Sequence, residues 1–325
     1  MKLLGLSFGT KLRGGLLSGT NEILVKEALM AAEEMGVEVG FIRMLDLDIK
    51  PCKGCTTCAM SLFEGGEGKC VIKDDLAFVD EQVMESDGLI IGAPVYVLGP
   101  SGLFKIVADR WGPSHDLVWR IEAKKIAAAK GKAGPDERSF KNRVGGIMCT
   151  GGASTPHWLS LGLPLMYLLT FPSGITVVDQ MQVLAISQLG SVALHEKVLE
   201  RARKLGRNVA QAMGKPISEV KWMGDAGTCP VCHSNLLTVT NKNPVECPIC
   251  GISGKIKVDG DKITVTFSAE EQKRSRLMLA GKLEHWVELR ENFKMIGPVM
   301  ERGGKELPKK LEKYKGYKEI TLKKK

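Results

Sequence analysis

The chain has 325 residues, 44% of them hydrophobic and 26% charged, with nine cysteines and a net charge of +9. That is the composition of an ordinary soluble globular protein, and no apolar run approaches the roughly 20 residues that a membrane-spanning helix needs. Much of the positive excess lies from Glu301 onward, where ten basic residues face four glutamates; with no aromatic interleaving it reads as a solvated tail, not a nucleic-acid surface.

In chain order, KLLGLSF (2–8) reads as a buried first strand, and the start lacks the charged, long-apolar and small-residue sections of a signal peptide. A cytoplasmic location is expected, where thiols stay reduced and clustered cysteines signal metal or redox chemistry. The Gly-rich stretch SFGTKLRGGLLSGT leads into a helix on which Ile23, Leu24, Ala28, Ala31, Ala32 and Met35 recur at helical spacing. A strand over 37–44, the cysteine-bearing segment 51–70 and a helix over 74–85 follow. GLIIGAPVY is a continuous apolar run, as a central parallel strand requires. SGLFKIVADRW reads as its helix, and the stretch between Trp111 and Val144 as an insertion or long connection. RVGGIMCTGG gives another strand and turn. GLPLMYLLTFPSG is too apolar for a surface helix and belongs in a core or a subunit interface. ITVVDQMQVL and the amphipathic SVALHEKVLERARKLGRNVAQAMG end this part. Strand–helix alternation over about 210 residues predicts an α/β fold with a doubly wound parallel sheet. After Pro216 come two CPxC knuckles, a hairpin turning at Asp-Gly-Asp, and a helix over 269–293.

In such a sheet ligands bind outside the carboxyl ends of the strands. Three loops end there. Ser7 to Asn21 offers hydroxyls and amides ahead of a helix N-terminus, which suits a phosphate, although it is neither GxGxxG nor a Walker sequence. APVYVLGPSG presents amides and an aromatic face to a planar ring, and CTGGAS is again Gly-rich. The Ser7–Thr20 loop, GAPVY, SGLFKIVADR and TGG resemble the NADPH-dependent FMN reductase branch of the flavodoxin-like superfamily. With PCKGCTTC…GKCVIKDDL added, the first 210 or so residues are most similar to that branch's iron–sulfur flavoproteins. The resemblance implies FMN, with its phosphate on Ser7, Ser18, Gly19 and Thr20. It implies Pro94, Val95 and Tyr96 along the ribityl chain and isoalloxazine, and Thr150, Gly151 and Gly152 on the ring's other side. His115 and His157 follow the second and third of these strands and are the candidate proton donors; Cys149 reads as a buried small hydrophobe.

The cysteines form two sets. Cys52, Cys55 and Cys58 are three apart and Cys70 follows after eleven residues, a run suited to the iron corners of a cubane. A [4Fe–4S] cluster is the favoured reading, a segment without a cluster the alternative. Cys229, Cys232, Cys247 and Cys250 make two separated C-x2-C knuckles, a four-thiolate site for zinc or, in a rubredoxin-like module, iron. Zinc is preferred because the loop between knuckles is short for a rubredoxin.

The resulting expectation is a flavodoxin-like FMN domain (1–215), a four-cysteine zinc-ribbon-like module (216–267), and a C-terminal helix with a basic tail (268–325). Its function would be that of an FMN-dependent oxidoreductase passing electrons from ferredoxin or NAD(P)H to a small-molecule or protein acceptor, as a homodimer or homotetramer. The alternatives are a cluster-free NAD(P)H:FMN or quinone reductase, and a non-enzymatic scaffold docking an acidic partner through the ribbon and tail.

Overall fold

The computed structural model describes residues 1–9, 19–186, 190–304 and 306–320. The chain begins β1 (Lys2–Ser7), α1 (Thr20–Glu33), β2 (Glu38–Arg43), α2 (Thr57–Phe63) and α3 (Leu76–Glu85). Next, β3 (Gly88–Tyr96) turns back through β4 (Gly99–Pro100) into α4 (Gly102–His115) and α5 (Leu117–Ala129). β5 (Val144–Thr150), α6 (Gly162–Thr170), β6 (Thr176–Val183) and α7 (Glu196–Ala212) complete the α/β part. A small antiparallel sheet of β7 (Val245–Glu246), β8 (Ser253–Asp259) and β9 (Lys262–Thr266) precedes α8 (Ala269–Lys273), α9 (Leu279–Gly303) and α10 (Leu307–Glu312).

The main sheet runs β2-β1-β3-β5-β6 with every one of these neighbours parallel. This is the doubly wound, flavodoxin-like order, and its direction of winding switches between β1 and β3. Both faces are covered, which is why the central strands are apolar without alternation. Leu24, Val25 and Ala28 of α1 and Leu205 and Val209 of α7 bury one face. Val79 and Val83 of α3, Phe104 and Val107 of α4, and Met166 and Leu169 of α6 bury the other. Each fully buried Val, Leu, Phe or Met among them contributes about 1.5–3 kcal/mol. α1 and α7 cross so closely that a Cβ on Gly206 would stand 1.9 Å from the Ala28 carbonyl oxygen. Of the apolar stretch 162–174, Gly162, Met166, Tyr167, Leu169 and Thr170 are buried in the core, while Leu165 is exposed.

Two elements differ from expectation. The supposed insertion after Trp111 contains α5, started by Asp116, whose carboxylate accepts from the amides of Val118 (3.0 Å) and Trp119 (3.1 Å). That capping ends one helix and begins the next. The C-terminal helix is broken between α8 and α9, then runs on to Gly303. Gly281 makes the break possible: a Cβ there would lie 2.2 Å from the Arg274 carbonyl oxygen. α9 is held by a ring cluster in which Phe63 stacks on Trp286 at 5.3 Å and meets Trp119 at 4.9 Å. Among the described residues no helix is long and apolar enough to cross a membrane.

Candidate functional site

The strand register gathers the three expected loops into one crevice. Ser7 pairs with Gly92, and Pro94 with Thr150, so the ends of β1, β3 and β5 lie side by side. Residues 10–18, and Ser18 with them, lie outside the described residues. Beyond them α1 starts at Thr20, with Gly19 as a cap that makes no side-chain hydrogen bond. The first-turn amides of a helix have no partners within it and favour an anion. Asn21 ties this loop to β5 by donating from Nδ2 to Thr150 Oγ1 at 2.8 Å, while its Oδ1 is buried without a partner. Such an orphaned acceptor fits a ligand hydroxyl of the kind a ribityl chain carries.

Glu22 sits in the same first turn, where a carboxylate would repel a phosphate. It is neutralised by Arg43, with Nη2 at 2.6 Å and Nε at 2.8 Å, and by Lys26 at 2.6 Å. The Arg43 guanidinium chiefly holds its carboxyl down to about 2, against the usual 4.5. Because the folded value is the lower one, this stabilisation is complete above about pH 4.5 and disappears as pH falls towards 2. Replacing Arg43 with methionine should cost about 2–3 kcal/mol at neutral pH. In thermal melts the gap between wild type and variant should close through that acid window.

β3 and β4 form a hairpin whose turn residues Val97 and Leu98 both have positive φ, 49° and 73°. A β-branched residue there is strained by about 1–2 kcal/mol, and the turn lacks the Asn-Gly that usually announces it. The hairpin leaves Tyr96 and Val97 exposed beyond the sheet. It is closed behind by the Ser101 amide, which donates to Pro94 O at 3.0 Å. On the β5 side Gly151 packs under Leu159, where a Cβ would come within 2.8 Å of that side chain. His157 and Trp158 follow on a single 3-10 turn, with ring centroids 5.4 Å apart and Trp158 exposed. Cys149 is fully buried, and burial pushes its thiol up to about 12, so it is an inert packing group.

His115 departs from the expected position. It occupies the last turn of α4, a 14-residue helix that starts at the crevice and carries its far end about 20 Å away. There its ring stacks on Trp111 at 3.9 Å, and Nε2 lies 2.6 Å from Asp80 Oδ1. His115 is a buried structural group, one helix length from the crevice.

The upstream cysteines line a loop closed at its neck. Arg110 of α4, itself buried, donates to Lys50 O (3.1 Å), Ile72 O (3.3 Å) and Cys70 Sγ (3.4 Å), and pairs with Asp74. Cys52 Sγ accepts from the Gly54 amide at 3.4 Å, and Cys55 Sγ from the Thr57 hydroxyl at 3.5 Å. Hydrogen bonding from Thr57 lowers the Cys55 thiol, while burial raises that of Cys58. Cys52 and Cys55 are exposed; Cys58, on α2, and Cys70 are half-buried.

Cys229, Cys232, Cys247 and Cys250 converge, with all four sulfurs within 4.8 Å of one another; among the described residues they alone form such a group. Cys229 and Cys250 are 3.7 Å apart, Cys232 and Cys247 3.5 Å. A tetrahedral ion with metal–sulfur bonds of about 2.3 Å sets its sulfurs about 3.8 Å apart, so the residues fit a metal. The two knuckles repeat one geometry. The amides of His233 and Gly251 donate to Cys229 O (2.9 Å) and Cys247 O (2.8 Å), and both residues have positive φ, 54° and 71°. The module is anchored by Tyr167, whose hydroxyl donates to Cys232 O at 3.0 Å, and by Gln180, whose Nε2 donates to the same oxygen at 3.3 Å. Between this module, β6 and the His157 turn lies a cavity of about 580 Å³. Sequence reasoning missed Asn21, Arg110, Gln180 and the cavity; all three residues stood inside named stretches, marked only by polarity.

The model of the family described as NADPH-dependent FMN reductase matches residues 1–185. A flavone synthase of Aspergillus candidus is 31% identical over 305 residues, 91% of each chain. A solved structure of a flavone reductase superposes with a TM-score of 0.80 at 29% identity, covering 100% of both chains. An iron–sulfur flavoprotein of Methanocaldococcus jannaschii is 38% identical over 113 residues, which is 35% of this chain and 53% of that protein. The chain therefore spans about half the length of that relative.

Proposed function

As a member of the NADPH-dependent FMN reductase family the chain is an FMN-dependent oxidoreductase, and we propose that its acceptor is a planar conjugated carbonyl compound of the flavone class. The observation that carries this reading is the extent of the likeness to the flavone reductase and the flavone synthase, which runs through the four-cysteine module.

FMN, when bound, supplies hydride-transfer chemistry. Ser7, Gly19 and Thr20, together with Ser18, would hold its phosphate, with Asn21 Oδ1 accepting from the ribityl chain. Pro94, Val95 and Tyr96 would flank its ring on one side, and Thr150, Gly151 and Gly152 on the other. Tyr96 and Trp158, both exposed, form the aromatic rim past which a flat acceptor enters. His157 supplies the proton at the carbon next to the carbonyl as the C=C π bond breaks and a hydride arrives at the carbon beyond; in the reverse direction it takes that proton. NAD(P)H or ferredoxin is the electron donor, and zinc is the metal of the C-terminal four-cysteine site. The apolar rim of the crevice favours a homodimer.

A second reading, electron transfer through a [4Fe–4S] cluster on Cys52, Cys55, Cys58 and Cys70, is favoured by the iron–sulfur flavoprotein likeness and by the Arg110 clasp on Cys70. Anaerobic assay of the FMN-loaded protein with NADPH and the flavone apigenin tests the leading reading. The dihydro product should accumulate with NADPH consumption; NADPH oxidation with apigenin untouched would refute it.

A further inference from the structure

The cavity beside β6 has the volume and chemistry of a ligand site that opens off the flavin crevice. Its roughly 580 Å³ falls within the range of about 300–1,000 Å³ that small-molecule pockets occupy. One end adjoins the crevice: Gln182 is opposite Cys149 in the β5–β6 register, one position from Thr150, and His157 follows the same loop. The other end is built by the four-cysteine module through His233, Ser234 and Leu236. We propose that this cavity binds the acceptor, a neutral planar aromatic carbonyl bearing hydroxyl groups, and that the four-cysteine module serves as its outer wall. The inference rests on the flavone-class reading and adds the place and the recognising groups.

Three observations carry it. Leu163, Met181, Leu236 and Ile249 give the cavity apolar sides for an aromatic skeleton. Its polar groups suit phenolic hydroxyls: Gln182 uses its amide nitrogen on Leu159 O at 2.8 Å and so offers a ligand an acceptor. His233 Nδ1 is buried without a partner, in a ring held by stacking on Trp222 at 4.0 Å. The His233 residue itself lines the module end of the cavity. Finally, the cavity's arginine is already engaged, Arg201 donating to both carboxylate oxygens of Asp179 at 3.0 and 2.6 Å. A dinucleotide's diphosphate would need uncommitted cations, so the lining favours the neutral acceptor over the nicotinamide donor.

The test uses the full-length, FMN-loaded, metal-loaded protein with apigenin as probe. Leu236→Trp fills the cavity from the module side; His233→Asn removes the imidazole but keeps a residue that tolerates the left-handed turn. FMN and metal content report that each variant is folded. Apigenin affinity, measured by titration of the oxidised protein, should fall at least about tenfold in Leu236→Trp and several-fold in His233→Asn. Undiminished apigenin affinity in both variants overturns the proposal, as does a rise confined to the KM for NADPH. If the wild-type protein neither binds nor reduces apigenin, the flavone-class reading itself fails. Wild-type turnover with unaffected variants removes only the placement.

Discussion

Replacing Cys247 with serine should strip the bound metal from the C-terminal site and unfold the module around it. Four buried sulfurs within 4.8 Å cannot all ionise without a cation, and losing one thiolate opens the tetrahedron to water and weakens the hold on the ion. The module has little else to fold on: its buried apolar side chains are Val245, Ile249 and Ile252, while β8 and β9 are largely exposed. In small modules of this kind the metal contributes about 10–16 kcal/mol of apparent binding free energy, which is in effect folding free energy. Metal analysis should show one equivalent per chain lost, and limited proteolysis should cut between residues 224 and 267. The α/β part keeps its FMN. A Cys247→Ser protein that retains its full metal content with unchanged affinity would show that the ion does not depend on the Cys247 thiolate. The metal's identity follows from the same sample, since zinc is colourless whereas ferric iron in four thiolates absorbs in the visible.

Arg110→Met should destabilise the α/β part by about 3–5 kcal/mol, the typical consequence of leaving one member of a buried ion pair alone. The side chains of Arg110 and Asp74 are 1% and 0% exposed. Burial alone would raise the Asp74 carboxyl; Arg110, together with the amides of Lys50 and Leu76, overturns that and holds it below its usual value. Without the guanidinium, Asp74 is a buried charge with two amide donors, and Lys50 O, Ile72 O and Cys70 lose their donor at once. The double variant Arg110→Met with Asp74→Leu should recover much of the loss, because it removes the stranded charge as well. Urea titrations of the two variants check this. An unchanged midpoint in Arg110→Met would mean that the neck of the cysteine loop is held by other contacts.

What could be read from the sequence was local. The central strands declared themselves because covering both faces of a parallel sheet leaves apolar runs such as GLIIGA. The knuckles were legible because all their constraints fall within a few residues. The β3–β4 hairpin was hidden because Val97 and Leu98 adopt a strained turn without its usual residues. α5 was hidden because Lys and Gly around a run of alanines obscured its apolar face, and only the cap at Asp116 marked its start. His115 was misplaced for a geometric reason: following the strand in sequence, it is carried off by α4. Arg110 could not be assigned from spacing, since its partners come from residues 36 to 60 positions away. The cavity is likewise a product of packing between β6 and a module some fifty residues downstream, and no motif encodes it.

Hydride movement between FMN and a planar conjugated carbonyl, as proposed for this chain, can be isolated in a single half-reaction. FMN-loaded protein is reduced anaerobically until the flavin's visible absorption is bleached, and apigenin is then added in equimolar amount without further reductant. The oxidised flavin spectrum should return as the dihydro product forms in matching amount. A flavin that stays bleached in the presence of apigenin, yet is reoxidised at once by a one-electron acceptor such as ferricyanide, would contradict it.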